Sequence, residues 1–107
     1  MSFREEKITN HIRELAATFI EREASGASMI TVTRVELAVG GKHAKIYVSV
    51  LPIEKENAAF GFLKRNLGEM RTFIQSRLKI HPIPFFDIEI DAGEKNRQKI
   101  DELLRNG

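Results

Sequence analysis

Phe60, Leu63, Leu67, Met70, Ile74 and Leu78 recur at spacings of three and four, the signature of one helix face. Two residues inside that stripe do not suit a helix interior. Gly68 costs about 1 kcal/mol there relative to alanine, and Asn66 makes a better cap than an interior residue. Either one helix tolerates both residues, or two helices sharing a face meet at this point. The pattern covers roughly residues 54–79 and is closed by His81-Pro-Ile-Pro84, because prolines discourage helix in themselves and in the residue before them.

Around this interrupted region the hydrophobic period changes from 3.6 to 2 and back. Ser2 and Glu5 form an S-x-x-E capping box. Ile8, Ile12, Leu15, Ala16, Phe19 and Ile20 then predict a helix over roughly 3–24, ended by Gly26 in "ASGAS". The run "MITVTRVELAV" alternates with Ile30 and Val32 in one phase and Val35 and Leu37 in the other. The switch between Thr33 and Arg34 signals a β-bulge or two-sided burial. Gly40-Gly41-Lys42 supplies a turn, and "HAKIYVSVL" returns with Ala44, Ile46, Val48 and Val50 on one face until Pro52 stops it. A third strand, "FFDIEID", puts Phe86, Ile88 and Ile90 on one face and Phe85, Asp87, Glu89 and Asp91 on the other. Gly93 reads as a break, and Ile100, Leu103 and Leu104 mark a short last helix. The expected fold is therefore α+β: an α-β-β-α-kink-α-β sandwich with a three-stranded sheet, helices on one face of it, and a short C-terminal helix.

The chain has 107 residues, 42% hydrophobic and 30% charged, with no cysteine. One globular domain over 1–107 is expected. A disulfide framework and thiolate metal sites are excluded. No signal-type apolar run and no bilayer-length segment appears, so a cytoplasmic location and no membrane partner are expected. Net charge is only +2, but it is unevenly spread. Between Gly61 and Pro82, Lys64, Arg65, Arg71, Arg77 and Lys79 face the single acid Glu69, whereas acids outnumber bases from Asp87 to Glu102. A local basic zone suits phosphates; an ordinary solvated helix face is the other reading of the same charges.

The element order, with its break between consecutive helices, is similar to the type II KH domain, whose members clamp single-stranded nucleic acid at a GXXG loop between those helices. Here position 65 is Arg and the break is Asn66-Leu67-Gly68. A shortened Ala-x-Gly kink in that place resembles the bacterial ribosome-binding factor A family. "ITVTRVELAVGGKHAKIYVSVL", "GEMRTFIQSRLKIHPIPFFDIEID" and "KIDELL" resemble stretches of the same family. The departure is Asn66, where that family usually has alanine; asparagine is expected to cap the following helix. The resemblance implies a non-enzymatic, cofactor-free, monomeric factor that binds the immature small ribosomal subunit through its ribosomal RNA. The RNA-binding set expected on it is Lys64, Arg65, Asn66, Gly68, Arg71, Arg77 and Lys79. The basic residues would meet phosphates, and Gly68 would let backbone approach backbone at the bend.

Other chemistries are weaker. A phosphate-binding P-loop around Gly41-Lys42 would need glycine at Glu36 and Ser or Thr at His43. Asp87, Glu89 and Asp91 could hold Mg²⁺ if they share an exposed face, though such carboxylates are more often solubilising. His11, His43 and His81 have no mutual ligand spacing. Ser49 and Ser76 lack a nucleophile context. Phe85 reads as a core residue first and a base-stacking platform second. A protein-interaction module using the acidic strand or the last helix is the alternative function.

Overall fold

The computed structural model describes residues 3–80 and 83–106. The expected Ser2 cap, His81 and Pro82 lie outside the described residues. In chain order the elements are α1 (Phe3–Glu23), β1 (Met29–Leu37), β2 (His43–Leu51), a 3-10 turn (Ile53–Lys55), α2 (Glu56–Arg65), α3 (Leu67–Arg77), β3 (Phe85–Ile90) and α4 (Ala92–Asn106). The sheet order is β1-β2-β3. β1 and β2 are antiparallel, joined by a turn in which Gly40 and Gly41 take φ of 87° and 69°, values that glycine adopts without Cβ strain. β2 and β3 are parallel, a pairing that needs a long crossover connection, here supplied by α2 and α3.

The phase switch in β1 is a bulge. Val32 pairs with Val48, but the next pair is Arg34 with Tyr47, leaving Thr33 as the extra residue. This brings Val32 and Val35 onto one face despite their odd spacing. That face also carries Ala44, Ile46, Val48, Val50, Phe86 and Ile88, all buried. Ile12, Ala16, Phe19 and Ile20 of α1, Leu63 of α2, and Leu67, Met70 and Ile74 of α3 complete the core. Burying each large side chain contributes roughly 1.5–3 kcal/mol, so this shared stripe fixes how α2 and α3 are rotated about their axes.

The helix break lies at Asn66 (φ −101°, ψ 8°). Gly68 does not lie between the helices, as the sequence reading expected, but in the first turn of α3. Its φ is not positive, and a Cβ built there meets nothing within 4 Å, so no close backbone approach depends on it. Asn66 does not cap α3 with its side chain either. Its Nδ2 instead donates back to the Phe62 carbonyl at 2.9 Å, which also accepts the Asn66 amide at 3.1 Å. The side chain thereby adds a second hydrogen bond at the Phe62 carbonyl, in the last turn of α2.

The strand β3 stops at Ile90, and Asp91 is not part of its exposed face. It is buried and acts as the N-cap of α4: its Oδ1 accepts the Glu94 amide at 3.1 Å. Asp91-Ala-Gly-Glu94 has the spacing of a capping box with an acidic cap. Helix α4 consequently starts before Gly93 and runs for 15 residues, longer than its apolar stripe alone indicates.

Candidate nucleic-acid interface

One position along a helix turns about 100°. Lys64 and Arg71 each follow a buried residue, Leu63 and Met70, by one position; Arg77 follows the buried Ile74 by three, which leaves it roughly 60° short of a full turn, on the other side of the stripe. The stripe that packs α2 and α3 on the sheet therefore sends these cations to opposite flanks. The basic zone, continuous in sequence, is divided in space.

On the β3 flank, Lys64 Nζ lies 3.2 Å from Asp87 Oδ1. Arg71 Nε donates to the Phe86 carbonyl at 2.7 Å, and its guanidinium stacks 4.0 Å from the centre of the Phe85 ring. Phe85 is 51% exposed, so the expectation of a core phenylalanine is overturned. Strand alternation explains it: Phe86 takes the inward position and Phe85 the outward one. His43, its partner in the adjacent strand, meets the Phe85 ring edge-on at 6.1 Å between centroids. The Ile88 amide donates to Asp87 Oδ1 at 2.8 Å. That bond, opposed by burial and helped by Lys64 and then Arg71, holds the Asp87 carboxyl below its ordinary range. Asp87 is thus ionised near neutrality and acts as a local counter-charge.

On the α1 flank, Arg77 stacks 3.9 Å from the centre of the Phe73 ring and donates to Ser76 Oγ at 3.0 Å. Lys79 is exposed beyond the end of α3. Arg65 points outward from the last turn of α2. It borders a groove of about 330 Å³ that Ser25, Gly26, Lys55 and Phe62 also line. Gly61 sits one turn below it, and a Cβ there would approach Arg65 Nη1 to 3.2 Å. Asn66 and Gly68 lie between the flanks, half-buried and exposed respectively.

The three acids that were candidate metal ligands do not form a cluster. Asp87 pairs with Lys64, Glu89 pairs with Lys45 at 3.3 Å, and Asp91 is buried. Asp91 Oδ2 accepts from the Thr33 hydroxyl at 2.7 Å and from Arg34 Nε at 3.4 Å. The Thr33 bond first, opposed by burial and helped by the Glu94 amide and Arg34, lowers its pKa. The outer sheet face is accordingly charge-balanced rather than acidic. Arg34, which bonds Glu36 and covers the Tyr47 ring at 3.8 Å, belongs to the same balance. No group of three His, Asp or Glu residues placed to hold a metal exists among the described residues.

Sequence reasoning missed one neighbour of the candidate residues and misjudged the exposure of another. Arg22 of α1 lies over the same Phe73 ring as Arg77, at 5.5 Å; nothing in a linear reading ties it to α3. The exposure of Phe85 was available from the strand phase, which already placed it opposite Phe86.

The sequence and the fold have counterparts. The model of the family described as ribosome-binding factor A matches residues 4–104. The ribosome-binding factor A of Thermomicrobium roseum is 29% identical over 97% of this chain and 83% of its own length. That of Clostridium botulinum strain Loch Maree is 29% identical over 97% of this chain and 90% of its own. Among solved structures, a Thermotoga maritima protein determined by solution NMR superposes with a TM-score of 0.71 at 26% identity, over 87% of this chain and 92% of that one. The crystal structure of ribosome-binding factor A from Thermus thermophilus gives 0.69 at 17% identity, over 79% and 93%, a likeness of fold. No described helix is long and apolar enough to cross a membrane. With its family model spanning almost the whole sequence and its fold matching, the chain belongs to the ribosome-binding factor A family.

Proposed function

We propose that this chain binds the small ribosomal subunit during its maturation, by contacting small-subunit ribosomal RNA with the α2–α3 kink and the basic side chains around it. The observation that carries the reading is the Arg71–Phe85 stack at the sheet edge. A guanidinium fixed by the Phe86 carbonyl and lying on a half-exposed ring offers phosphate charge and a stacking plane together. Lys64 stands beside it in a half-exposed ion pair with Asp87. Such pairs are worth about 0–1 kcal/mol, so a phosphate can take the lysine over with little loss. Arg65, Asn66, Gly68, Arg77 and Lys79 extend the contact on either side of the kink. Family membership supports the choice of the ribosome as the partner.

The chain acts by occupancy, as a monomer without cofactor or turnover, in the cytoplasm. Binding one conformation of the RNA about tenfold better than another shifts the balance by ~1.4 kcal/mol, within reach of one or two phosphate contacts. Replacing Lys64 and Arg65 by alanine weakens binding to small-subunit RNA and flattens its salt dependence, since each lost phosphate contact lowers the slope. Unchanged affinity in that variant and in Arg71→Glu rejects this surface.

A second reading, a protein-interaction module, is favoured by one feature. Ile100, Leu103 and Leu104 of α4 are 57%, 73% and 76% exposed. The acidic strand does not support it, because Asp87 and Glu89 are paired and Asp91 is buried. Binding that is insensitive to salt selects this second reading.

A further inference from the structure

We infer that Arg22 and Arg77, gathered on the ring of Phe73, form a second phosphate-binding site for RNA on the α1–α3 face. This site is separate from the Arg71–Phe85 stack on the β3 side, and the inference rests on the RNA-binding reading above.

Two guanidiniums approach one aromatic ring. That of Arg77 is 3.9 Å from the Phe73 centroid and that of Arg22 is 5.5 Å from it. By those distances their carbons are at most about 9.4 Å apart, close enough for the pair to serve neighbouring phosphates of one strand. Phe73 is itself anchored, half-buried, with its ring 5.7 Å from that of the core residue Phe19. The two cations therefore rest on a rigid support rather than on free stems.

Both arginines occupy the last turn of their helices, α1 and α3. The carbonyl ends of those helices favour positive charge there, and the ring face adds a cation–π attraction. These forces offset the repulsion between the two like charges. Neither arginine has a carboxylate within 4.0 Å among the described residues, whereas Arg34, Lys45, Lys64, Lys95 and Arg97 all do. Arg77 spends one Nη1 on Ser76 Oγ and a long 3.4 Å contact to the Phe73 carbonyl, which leaves its remaining donors and those of Arg22 facing solvent. Two guanidiniums on one ring, with no carboxylate partner among the described residues, match the backbone of an RNA strand, in which each phosphodiester spreads one negative charge over two oxygens that a guanidinium meets in bidentate fashion.

The test uses the whole chain with the double substitution Arg22→Gln and Arg77→Gln. Arg105→Gln, in exposed α4, serves as the control for loss of one charge, against which Arg22→Gln and Arg77→Gln are also read singly. Binding to small-subunit ribosomal RNA is measured over a range of salt. The expected result is an affinity about tenfold weaker in the double variant and a salt slope lower by about one, with Arg105→Gln near the unaltered chain. Thermal melting accompanies each measurement. In the unaltered protein, addition of RNA moves the NMR signals of the Arg22 and Arg77 Nε–H groups and of the Phe73 ring. If the unaltered chain binds RNA, but the double variant binds equally with the same slope and those signals stay in place, the second site is wrong, Arg77 leaves the proposed contact surface, and the Arg71–Phe85 side of the kink stands. If the double variant binds a polyglutamate probe less well while RNA binding is unaffected, the site serves an acidic protein and the inference is overturned. If the unaltered chain binds no RNA, the functional reading fails, and this site with it.

Discussion

Asn66 and Gly68 sit two positions apart and have different jobs. The Asn66 side chain holds the end of α2 through the Phe62 carbonyl, while Gly68 lies in a helical turn with open space where a Cβ would go. Gly68→Ala should therefore fold normally and gain up to about 1 kcal/mol in stability, since alanine suits the helix and restricts the unfolded chain. Asn66→Ala should lose about 0.5–1 kcal/mol with the side-chain hydrogen bond. Denaturant titration of both variants checks this, and a Gly68→Ala loss of several kcal/mol would show that the kink needs glycine. The arginines divide in the same way. Arg71→Ala should cost stability, about 1 kcal/mol, because the Phe86 carbonyl loses its donor, and should cost RNA affinity as well. Arg65→Ala should cost affinity alone, since none of the described contacts of Arg65 is a hydrogen bond or ion pair. A break near residues 66–68 was legible from residue type, but its position was not, because it depends on which carbonyl the asparagine side chain reaches.

Among the elements, α4 depends most on a single group. Asp91 caps it and ties it to the bulge of β1 through Thr33 and Arg34, and Lys95 adds an ion pair to Glu56 at 2.9 Å. The Asp91 pKa is lowered in the folded protein, so its contribution is fully present above the unfolded-state value of about 3.9. It is lost as pH falls through the lower folded value. Asp91→Asn should destabilise by about 1–3 kcal/mol at neutral pH, and should flatten the acid limb of stability against pH below about 4. Parallel acid titrations followed by circular dichroism test this; superimposable limbs would mean that Asp91 is not the anchor. The elements themselves were largely legible, because each buries one face and so imprints its period on the apolar residues. Asp91 was misplaced since it continues the alternation of Asp87 and Glu89, and only the D-x-x-E spacing marks it as a cap. The two-flank division of the basic zone was not legible, because it follows from contacts with Phe85, Phe86 and Phe73 that the rotation of packed helices decides.

At the scale of the molecule, one apolar face of a three-stranded sheet is covered by α1, α2 and α3, and the cations are carried on the rims of that helical layer. On the proposed function, recognition by such rims is phosphate-dominated, with the Arg71–Phe85 stack adding a flat surface for an unpaired base. We propose preferential binding to the immature small subunit through its RNA. Its most direct test is co-sedimentation of the chain with purified immature and mature small subunits, side by side, across a series of salt concentrations. The prediction is binding at least about tenfold tighter to the immature particle, equivalent to ~1.4 kcal/mol, with affinity falling steeply as salt rises. Equal binding to both particles, or affinity indifferent to salt, would contradict it.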